Sequence, residues 1–273
     1  MVDVDEIPGP ATEAGRRWRE QLLAWVIPDE ILEQAPRSPW GHQTAAFAVA
    51  DDLDKDIVSA EVARTVLPPT SGSVLDIGCG GGRAALSLVP PAQKVIGVDE
   101  SPAMLASFSD SAAAVGVRSM TIQGRWPDVA VDTPVADVVT CHHVAYNVAE
   151  IEPFIVSLTA HARLAVVLVL PVAHPMSCWS PAWQHFWGLE RPTGPTSDDF
   201  IAVLDGLGIA SERWEMPVPE HSSGDCDPVK RVQSAARLLC LGHDRLAELG
   251  VYLEQHEPPQ VEAHTVVRWA GEV

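Results

Sequence analysis

In the stretch from Val74 to Arg83, VLDIGCGGGR, three glycines stand at alternate positions directly after a short apolar run. The apolar run is typical of a buried β-strand, and the Ala-rich residues after Arg83 are typical of a helix. Glycines at such a turn let the backbone approach a ligand closely, and the free N–H groups at a helix start favour its electronegative end. We therefore expect a nucleotide-like ligand here, the alternative being a tight connection that holds no ligand.

Short β-branched runs alternate with helical stretches on both sides of this turn. The predicted strands are 74–77, 94–98, 118–123, 137–141 and 162–171, and the predicted helices between them are 83–88, 102–115 and 151–160. Such alternation predicts an α/β fold, a doubly wound, mostly parallel, seven-stranded Rossmann-like sheet with helices on both faces.

The flanking segments complete the predicted organisation. A helix at 198–207, a strand at 212–218, a single helix at 228–249 and a strand at 262–269 are expected after the alternating part. Residues 1–65 are predicted to form an N-terminal helical cap. This cap is expected to belong to the same domain as residues 66–273, the Rossmann-like part. Within the latter, residues 171–196 form a Trp-rich insertion that we interpret as a lid.

The composition narrows the classes of partner. The chain has 37 acidic and 18 basic residues, a formal net charge of −19. A surface this negative repels phosphate backbones and anionic lipid headgroups, so nucleic-acid and membrane partners are not expected. The five cysteines are widely spaced, and neither a secretory signal nor an 18-residue apolar stretch is present, which predicts a cytoplasmic protein. Oligomeric state is not predicted.

The glycine spacing argues against a nicotinamide cofactor. A dinucleotide-binding G-x-G-x-x-G pattern that starts at Gly78 requires a glycine at position 83, where this chain has Arg83. A nicotinamide-dependent oxidoreductase is therefore the less favoured alternative.

The spacing of Asp76 and the glycines instead resembles a known signature. Asp-x-Gly-x-Gly-x-Gly, from Asp76 to Gly82, resembles the first signature of class I S-adenosylmethionine-dependent methyltransferases. The resemblance extends to the second strand, which ends in Asp99, and covers about residues 74–171. It implies S-adenosylmethionine as cofactor and S-adenosylhomocysteine as product. The chain departs from the family after the third strand, where Gly-Asp is usual and Gly124-Arg125 stands here.

The resemblance also implies which residues contact the cofactor. In the family the acid at the position of Asp99 binds both ribose hydroxyls, a role that a carboxylate at a strand end can fill. A helix N-cap is the alternative for this residue. The predicted cofactor contacts are Asp76, Gly78, Cys79, Gly80, Gly82, Asp99, Glu100, Ser101, Met104, Gly124, Arg125, Trp126 and His142.

Two adjacent histidines follow the fourth predicted strand, where ligands of doubly wound sheets bind. His142 and His143 are candidate bases, because histidine titrates near neutrality. In amine and amide methyltransferases an Asn-Pro-Pro-Tyr motif begins at the position of His142, which favours that residue; packing beside the cofactor is the alternative for both. Ubiquinone-type O-methyltransferases place metal-binding acids and a histidine where this chain has His143, Tyr146 and Asn147, so no metal is expected.

The expected acceptor contacts come from three segments. Trp179 and Trp183 fall on one helical face of the Trp-rich segment and are expected to line an apolar or sugar-like pocket, or else to dock a helix onto the sheet. Trp40 and His42 lie in the N-terminal cap, where capping and packing is the alternative. The predicted acceptor contacts are Trp40, His42, Tyr146, His174, Trp179 and Trp183.

These features predict methyl transfer to a small-molecule acceptor by in-line displacement, with oxygen the favoured acceptor atom. A non-catalytic cofactor-binding or scaffold protein is the alternative that the sequence leaves open.

Overall fold

A seven-stranded sheet is the centre of the fold. The computed structural model describes residues 10–36, 39, 58–217, 227–256, 261 and 263–272. The strands are β1 (Gly72–Ile77), β2 (Ala92–Asp99), β3 (Arg118–Gln123), β4 (Ala136–His142), β5 (Ala162–Pro171), β6 (Ser211–Pro217) and β7 (Ala263–Ala270). They are ordered β3-β2-β1-β4-β5-β7-β6. The first five strands are parallel, whereas β7 runs antiparallel to both of its neighbours.

Ten helices lie among the described residues. They are α1 (Glu13–Leu23), α2 (Asp29–Leu32), α3 (Val58–Arg64), α4 (Arg83–Leu86), α5 (Pro102–Ala114), α6 (Ile151–Ala160), α7 (Ser180–Trp187), α8 (Ser197–Gly206), α9 (Pro228–Leu238) and α10 (Leu246–Gln255). None of them is long and apolar enough to cross a membrane.

The two faces of the sheet build separate cores. Leu75 and Val166 belong to a core that also contains residues of α1, α6 and α8. Val74 and Val167 belong to the opposite core, with residues of α3, α4 and α5. Because successive strand residues point to opposite faces, a strand that is covered on both sides must be apolar throughout, as the central part of β5 is. The predicted doubly wound, seven-stranded sheet with helices on both faces is confirmed.

A third group of buried residues contains no strand residue. We call it the outer helical cluster. Its members come from the segment after α1 and from α7, α9, α10 and the turn between the last two: Ile27, Ile31, Ala182, Trp183, Phe186, Ala235, Ala236, Leu239, Cys240, Leu241, Leu249, Tyr252 and Leu253. The Trp-rich segment thus shares a core with residues more than forty positions further along the chain.

The predicted single helix over 228–249 is wrong. The chain forms α9 and α10 instead, and Cys240 between them has a left-handed backbone with φ of 55°. Leu239, Cys240 and Leu241 are all buried in the outer helical cluster. A continuous helix would direct three consecutive side chains around its circumference, so that not all of them would be buried on one side. The bounds of the other predicted strands and helices after residue 72 agree within two residues.

A buried carboxylate ties α1 to the start of α6. Glu152 accepts hydrogen bonds from the backbone N–H of Ala11 (2.6 Å), from that of Thr12 (2.9 Å) and from the Thr12 hydroxyl (2.5 Å). Thr12 is also the N-cap of α1 and accepts from the Gly15 N–H at 2.9 Å. Further along the helix, Trp18 donates to the Val148 carbonyl at 2.8 Å. These bonds hold α1 against the first core.

Replacing Glu152 by alanine is expected to lower the free energy of unfolding by on the order of 3 kcal/mol, because it leaves partly buried N–H donors without a charged acceptor. Urea unfolding measures the effect. Glu150→Ala is the matched control, since Glu150 forms only a surface ion pair with Arg19 (3.0 Å, side chains 32% and 43% exposed), and such pairs contribute at most about 1 kcal/mol. Equal losses in the two variants would contradict the anchoring role of Glu152.

Candidate functional site

The turn between β1 and α4 lies at the carboxyl edge of the parallel strands. Its glycines Gly78, Gly80 and Gly82 have φ angles of 67°, 50° and 97°, a left-handed region that favours glycine. A Cβ atom on Gly78 would stand 2.4 Å from Cγ2 of Val144, so this position has no room for a side chain. The sequence pattern therefore corresponds to a backbone conformation and a close packing that require glycine.

The carboxylate of Asp99, at the end of β2, connects this turn to the next strand. Its Oδ2 accepts from the Gly80 N–H at 3.0 Å, and its Oδ1 accepts from the Ser101 N–H at 2.9 Å. The N-cap of α5 is Ser101, whose hydroxyl accepts from the Met104 N–H at 3.4 Å. Each carboxylate oxygen can accept more than one hydrogen bond, so Asp99 retains acceptor capacity for a ligand.

Asp76 lies beneath the turn. It is only 1% exposed, and its oxygens accept from the Thr140 hydroxyl (2.9 Å) and from the Ala85 N–H (3.2 Å). Burial raises the pKa of Asp76 to about 7, although the two hydrogen bonds oppose that shift. Asp76 thus braces β4 against α4, and the cofactor contact that the sequence predicts for it stays a prediction.

Further predicted cofactor contacts follow β2 and β3. Glu100 and Arg125 form an exposed ion pair at 3.8 Å, and the Gly124 N–H donates to the Asp99 carbonyl at 3.0 Å. The indole of Trp126 is buried in the first core, edge-on to His161 at 4.8 Å between ring centroids. Trp126 Nε1 is buried with no hydrogen-bond partner among the described residues. These cofactor contacts stay predictions.

Cys79 and Met104 are also buried beside the turn. A Cβ on Gly97 would meet the Cys79 sulfur at 2.8 Å and the Phe108 ring at 3.0 Å, so the thiol packs closely against β2. Burial raises the pKa of the Cys79 thiol, which keeps it protonated and unreactive at neutral pH.

Three histidines gather at the ends of β4 and β7. His142 is the last residue of β4, and His143 follows it with a left-handed φ of 62°. The ring centroids of His142 and His143 are 6.5 Å apart, and those of His143 and His264 are 4.7 Å apart. His264 is not among the site residues that the sequence predicts. Its only signal is its place at the beginning of an alternating strand, which does not reveal that β7 pairs with β5.

The environments of the three rings differ. Burial and the neighbouring histidines lower the pKa of His142 to about 3, and its Nε2 is buried with no partner in the described part of the chain. Burial, His264 and Arg83 lower the pKa of His143 to about 4. His143 nevertheless has an exposed surface, although protein atoms surround much of its ring. The sequence favoured His142, whereas accessibility favours His143.

Two predicted acceptor contacts lie side by side. Tyr146 stands edge-on to His174 at 5.9 Å, and His174 stacks on Trp25 at 4.1 Å. Burial lowers the pKa of His174 to about 4 and raises the pKa of Tyr146 to about 12. Both side chains are therefore uncharged at neutral pH.

The predicted tryptophans belong to the outer helical cluster. Trp183 is 1% exposed, and Trp179 lies in a 3-10 turn, Ser177–Trp179, that precedes α7 and packs against the same cluster. These positions favour the helix-packing alternative for Trp183, since its ring is covered by the protein itself. Trp40 and His42 lie outside the described residues. Within the described residues, no group of three or more His, Cys, Asp or Glu side chains is arranged to hold a metal ion.

Comparison with known proteins supports the resemblance seen in the sequence. Residues 74–163 match the model of a family described as a methyltransferase domain. Over this region the chain is similar to methyltransferases, in agreement with the resemblance of the glycine turn to the class I signature. The matched region runs from β1 to the beginning of β5 and contains the glycine turn, Asp99 and the two adjacent histidines.

One curated relative is similar to part of the chain. YcgJ, an uncharacterized methyltransferase of Bacillus subtilis strain 168, is 31% identical over 106 residues, which are 38% of this chain and 40% of the relative. The aligned part is thus less than half of that relative's length.

The structural likeness extends over more of the chain. The crystal structure of YcgJ superposes with a TM-score of 0.52 at 17% identity, covering 79% of this chain and 98% of the other. Magnesium protoporphyrin IX methyltransferase from Synechocystis PCC 6803, with bound SAH, gives 0.51 at 15% identity, with 86% and 91% covered. At these identities the likeness is one of fold.

Asp76→Asn is expected to become relatively more stable as pH rises. The pKa of Asp76 is higher in the folded chain than the ordinary value of 3.8, so its favourable contribution is complete below about pH 4 and is lost as pH rises through about 7. The variant has no charge to bury. We therefore compare the free energy of unfolding of the variant with that of the wild type. Their difference, variant minus wild type, should rise by about 4 kcal/mol between pH 4 and 8, since one pKa unit corresponds to about 1.4 kcal/mol.

Urea unfolding at several pH values checks this. The control is Asp110→Asn on the exposed side of α5, for which a flat difference is expected. A flat difference for Asp76→Asn as well would contradict the raised pKa.

Proposed function

We propose that this chain transfers a methyl group from S-adenosylmethionine to a small-molecule acceptor, with oxygen the favoured acceptor atom. The observation that carries the proposal is the glycine turn braced by Asp99 through the Gly80 N–H at 3.0 Å. The family match over the same residues supports it.

The residues present fit this cofactor. Gly78 has no side chain, and a Cβ there would clash with Val144. The backbone of the turn is left-handed. Main-chain atoms would therefore border the amino-acid and sulfonium end of the cofactor. Asp99 would accept the two ribose hydroxyls with the acceptor capacity that its two backbone bonds leave free. Asp76 would keep the turn in place from below.

When bound, S-adenosylmethionine supplies a methyl carbon to which the acceptor oxygen bonds while the electron pair of the breaking carbon–sulfur bond returns to sulfur. The chain's part is to align the acceptor, exclude water and receive the hydroxyl proton. His143 is exposed at the carboxyl edge beside the turn, and we assign it as the residue that accepts that proton. His142 is enclosed, so we assign it a packing role.

The lowered pKa of His143, about 4, keeps its ring neutral at physiological pH. A neutral ring nitrogen can accept a proton at once, but a base this weak provides limited driving force. Alignment of the acceptor is therefore expected to contribute more of the rate than proton removal does.

Asp99→Asn is expected to weaken S-adenosylhomocysteine binding by about 10-fold to 100-fold, because one charge-assisted acceptor is lost and each tenfold corresponds to about 1.4 kcal/mol. Isothermal titration measures the affinity, with NAD as the ligand that should not bind. Asp110→Asn is the matched control. Unchanged affinity in folded Asp99→Asn protein would reject the ribose assignment, and binding of NAD alone would favour the oxidoreductase alternative.

His143→Ala is expected to lower kcat by roughly 10²-fold to 10⁴-fold while leaving the affinity for S-adenosylhomocysteine unchanged. Transfer of labelled methyl groups to an acceptor selected from a panel of small hydroxyl compounds provides the assay. In the wild type the rate should fall as pH drops through about 4, because the protonated ring cannot accept a second proton. The control is His185→Ala, an exposed histidine that pairs with Glu248 at 3.9 Å. A variant with full activity would rule out His143 as base.

A further inference from the structure

Arg83 lies at the carboxyl edge of the sheet and has no ion-pair or hydrogen-bond partner among the described residues. It is the first residue of α4, directly after Gly82, and its side chain is exposed. Arg83 follows β1 and His143 follows β4, and because these parallel strands are paired, both residues stand at the carboxyl edge of the sheet. The charge of Arg83 also lowers the pKa of His143.

Carboxylates that could pair with Arg83 are abundant in this chain. Acidic residues outnumber basic ones by 37 to 18, so an exposed arginine has many carboxylates available. Other arginines use them: Arg19 pairs with Glu150, Arg213 with Asp198, Arg245 with Glu248, and Arg268 with Glu212. An arginine that remains unpaired beside a candidate site is suited to an anion from outside the chain.

The strand order places Arg83 at one end of a row of side chains. Arg83 follows β1, His143 follows β4, and His264 stands on β7 opposite Pro171 of β5. Burial lowers the pKa values of the two histidines, so both rings are neutral at physiological pH and Arg83 supplies the charge in this row. The carboxylates lie on the proposed cofactor side: Asp76 beneath the glycine turn and Asp99 at the end of β2.

The row also contains polar atoms that need a partner. His264 Nδ1 and His142 Nε2 are buried, and neither has a hydrogen-bond partner in the part of the chain that the structure describes. Buried polar atoms are almost always paired in folded proteins. Because the rings of His143 and His264 are in contact, an acceptor molecule bound against His143 would also lie beside His264.

We propose that the acceptor is a hydroxylated carboxylate, held by an ion pair between its carboxylate and the guanidinium of Arg83 so that its hydroxyl lies against His143 and beside His264. This rests on the proposed function and specifies its substrate class. The planar guanidinium can bind a carboxylate through two parallel hydrogen bonds, which would fix the orientation of the acceptor as well as its position. In this arrangement Arg83 is a specificity-determining residue.

The test uses pairs of ligands that differ only in charge. Small hydroxylated aromatic and aliphatic carboxylates, each paired with its primary amide, are titrated into the wild-type protein saturated with S-adenosylhomocysteine. At least one carboxylate should bind about tenfold or more tightly than its amide, and the preference should shrink as salt is added. Arg83→Gln should abolish the preference, and Arg83→Lys should retain part of it because the charge remains but the second hydrogen bond is lost.

Arg118→Gln is the matched control, since Arg118 is an exposed arginine at the amino end of β3, away from the carboxyl edge of the sheet. The carboxylate preference of this variant should equal that of the wild type. The proposal is overturned if no carboxylate is preferred over its amide, or if the preference persists in Arg83→Gln.

A second measurement separates the acceptor's carboxylate from that of the cofactor. S-Adenosylhomocysteine and 5′-methylthioadenosine, which lacks the amino-acid carboxylate, are titrated into the wild type and Arg83→Gln. For each ligand, we expect the same affinity in the wild type and in Arg83→Gln. A loss confined to S-adenosylhomocysteine would assign Arg83 to the cofactor and overturn the acceptor subsite. Failure of the wild type to bind S-adenosylhomocysteine at all would instead overturn the proposed function, and the carboxylate preference would then be measured on the free protein.

Discussion

The hydrogen bond from the Gly80 N–H to the Asp99 carboxylate is the contact on which the site depends. It joins the turn after β1 to the end of β2, so that the glycine backbone and the acidic side chain are held at one edge of the sheet. Asp76 supports the same turn from below through Ala85 and Thr140. Two carboxylates thus act on one loop, one at its surface and one in the core. The buried one carries the cost of desolvation, which its raised pKa expresses.

The carboxyl edge of the sheet is divided electrostatically. The ends of β1 and β2 provide carboxylates, which suit ribose hydroxyls and a positively charged sulfonium. The ends of β4 and β7 provide histidines that burial keeps neutral, with Arg83 at the boundary. This division separates the proposed cofactor and acceptor sides within a chain whose overall charge is strongly negative. The net charge alone would have suggested that an anionic acceptor is repelled, whereas the local arrangement favours one.

A stack of aromatic rings and one arginine connects this edge to the outer helical cluster. Tyr146, His174 and Trp25 form consecutive ring contacts, and Arg191 lies 5.0 Å from the ring centroids of both Trp25 and Trp183. Arg191 also donates to the carbonyls of Trp25 and Val26. Cation–π contacts and charge-assisted hydrogen bonds of this kind are strengthened by exclusion of water. The segment after α1 and the Trp-rich segment are therefore joined as one unit beside the candidate acceptor site.

Local patterns in the sequence determined the strands, the glycine turn and the acid at the end of β2. Continuous apolar runs and glycine-dependent left-handed turns are each set by neighbouring residues, so both can be recognised in the sequence. The sequence could not separate α9 from α10, because the break at Cys240 follows from burial of three consecutive residues in a cluster assembled from distant segments. It favoured His142 over His143 because a family motif begins at the position of His142, whereas the exposure of His143 is seen only in the folded chain.

The proposed roles of His264 and Arg83 can be recognised only in the folded chain. The antiparallel insertion of β7 beside β5 brings His264 to His143, and the pairing of β1 with β4 brings Arg83 to the same ring. Sequence by itself therefore determined the fold class, the glycine turn and its resemblance to the methyltransferase signature, which depend on contiguous residues. The acceptor side was decided by strand order and burial, because those depend on contacts between residues far apart in the chain.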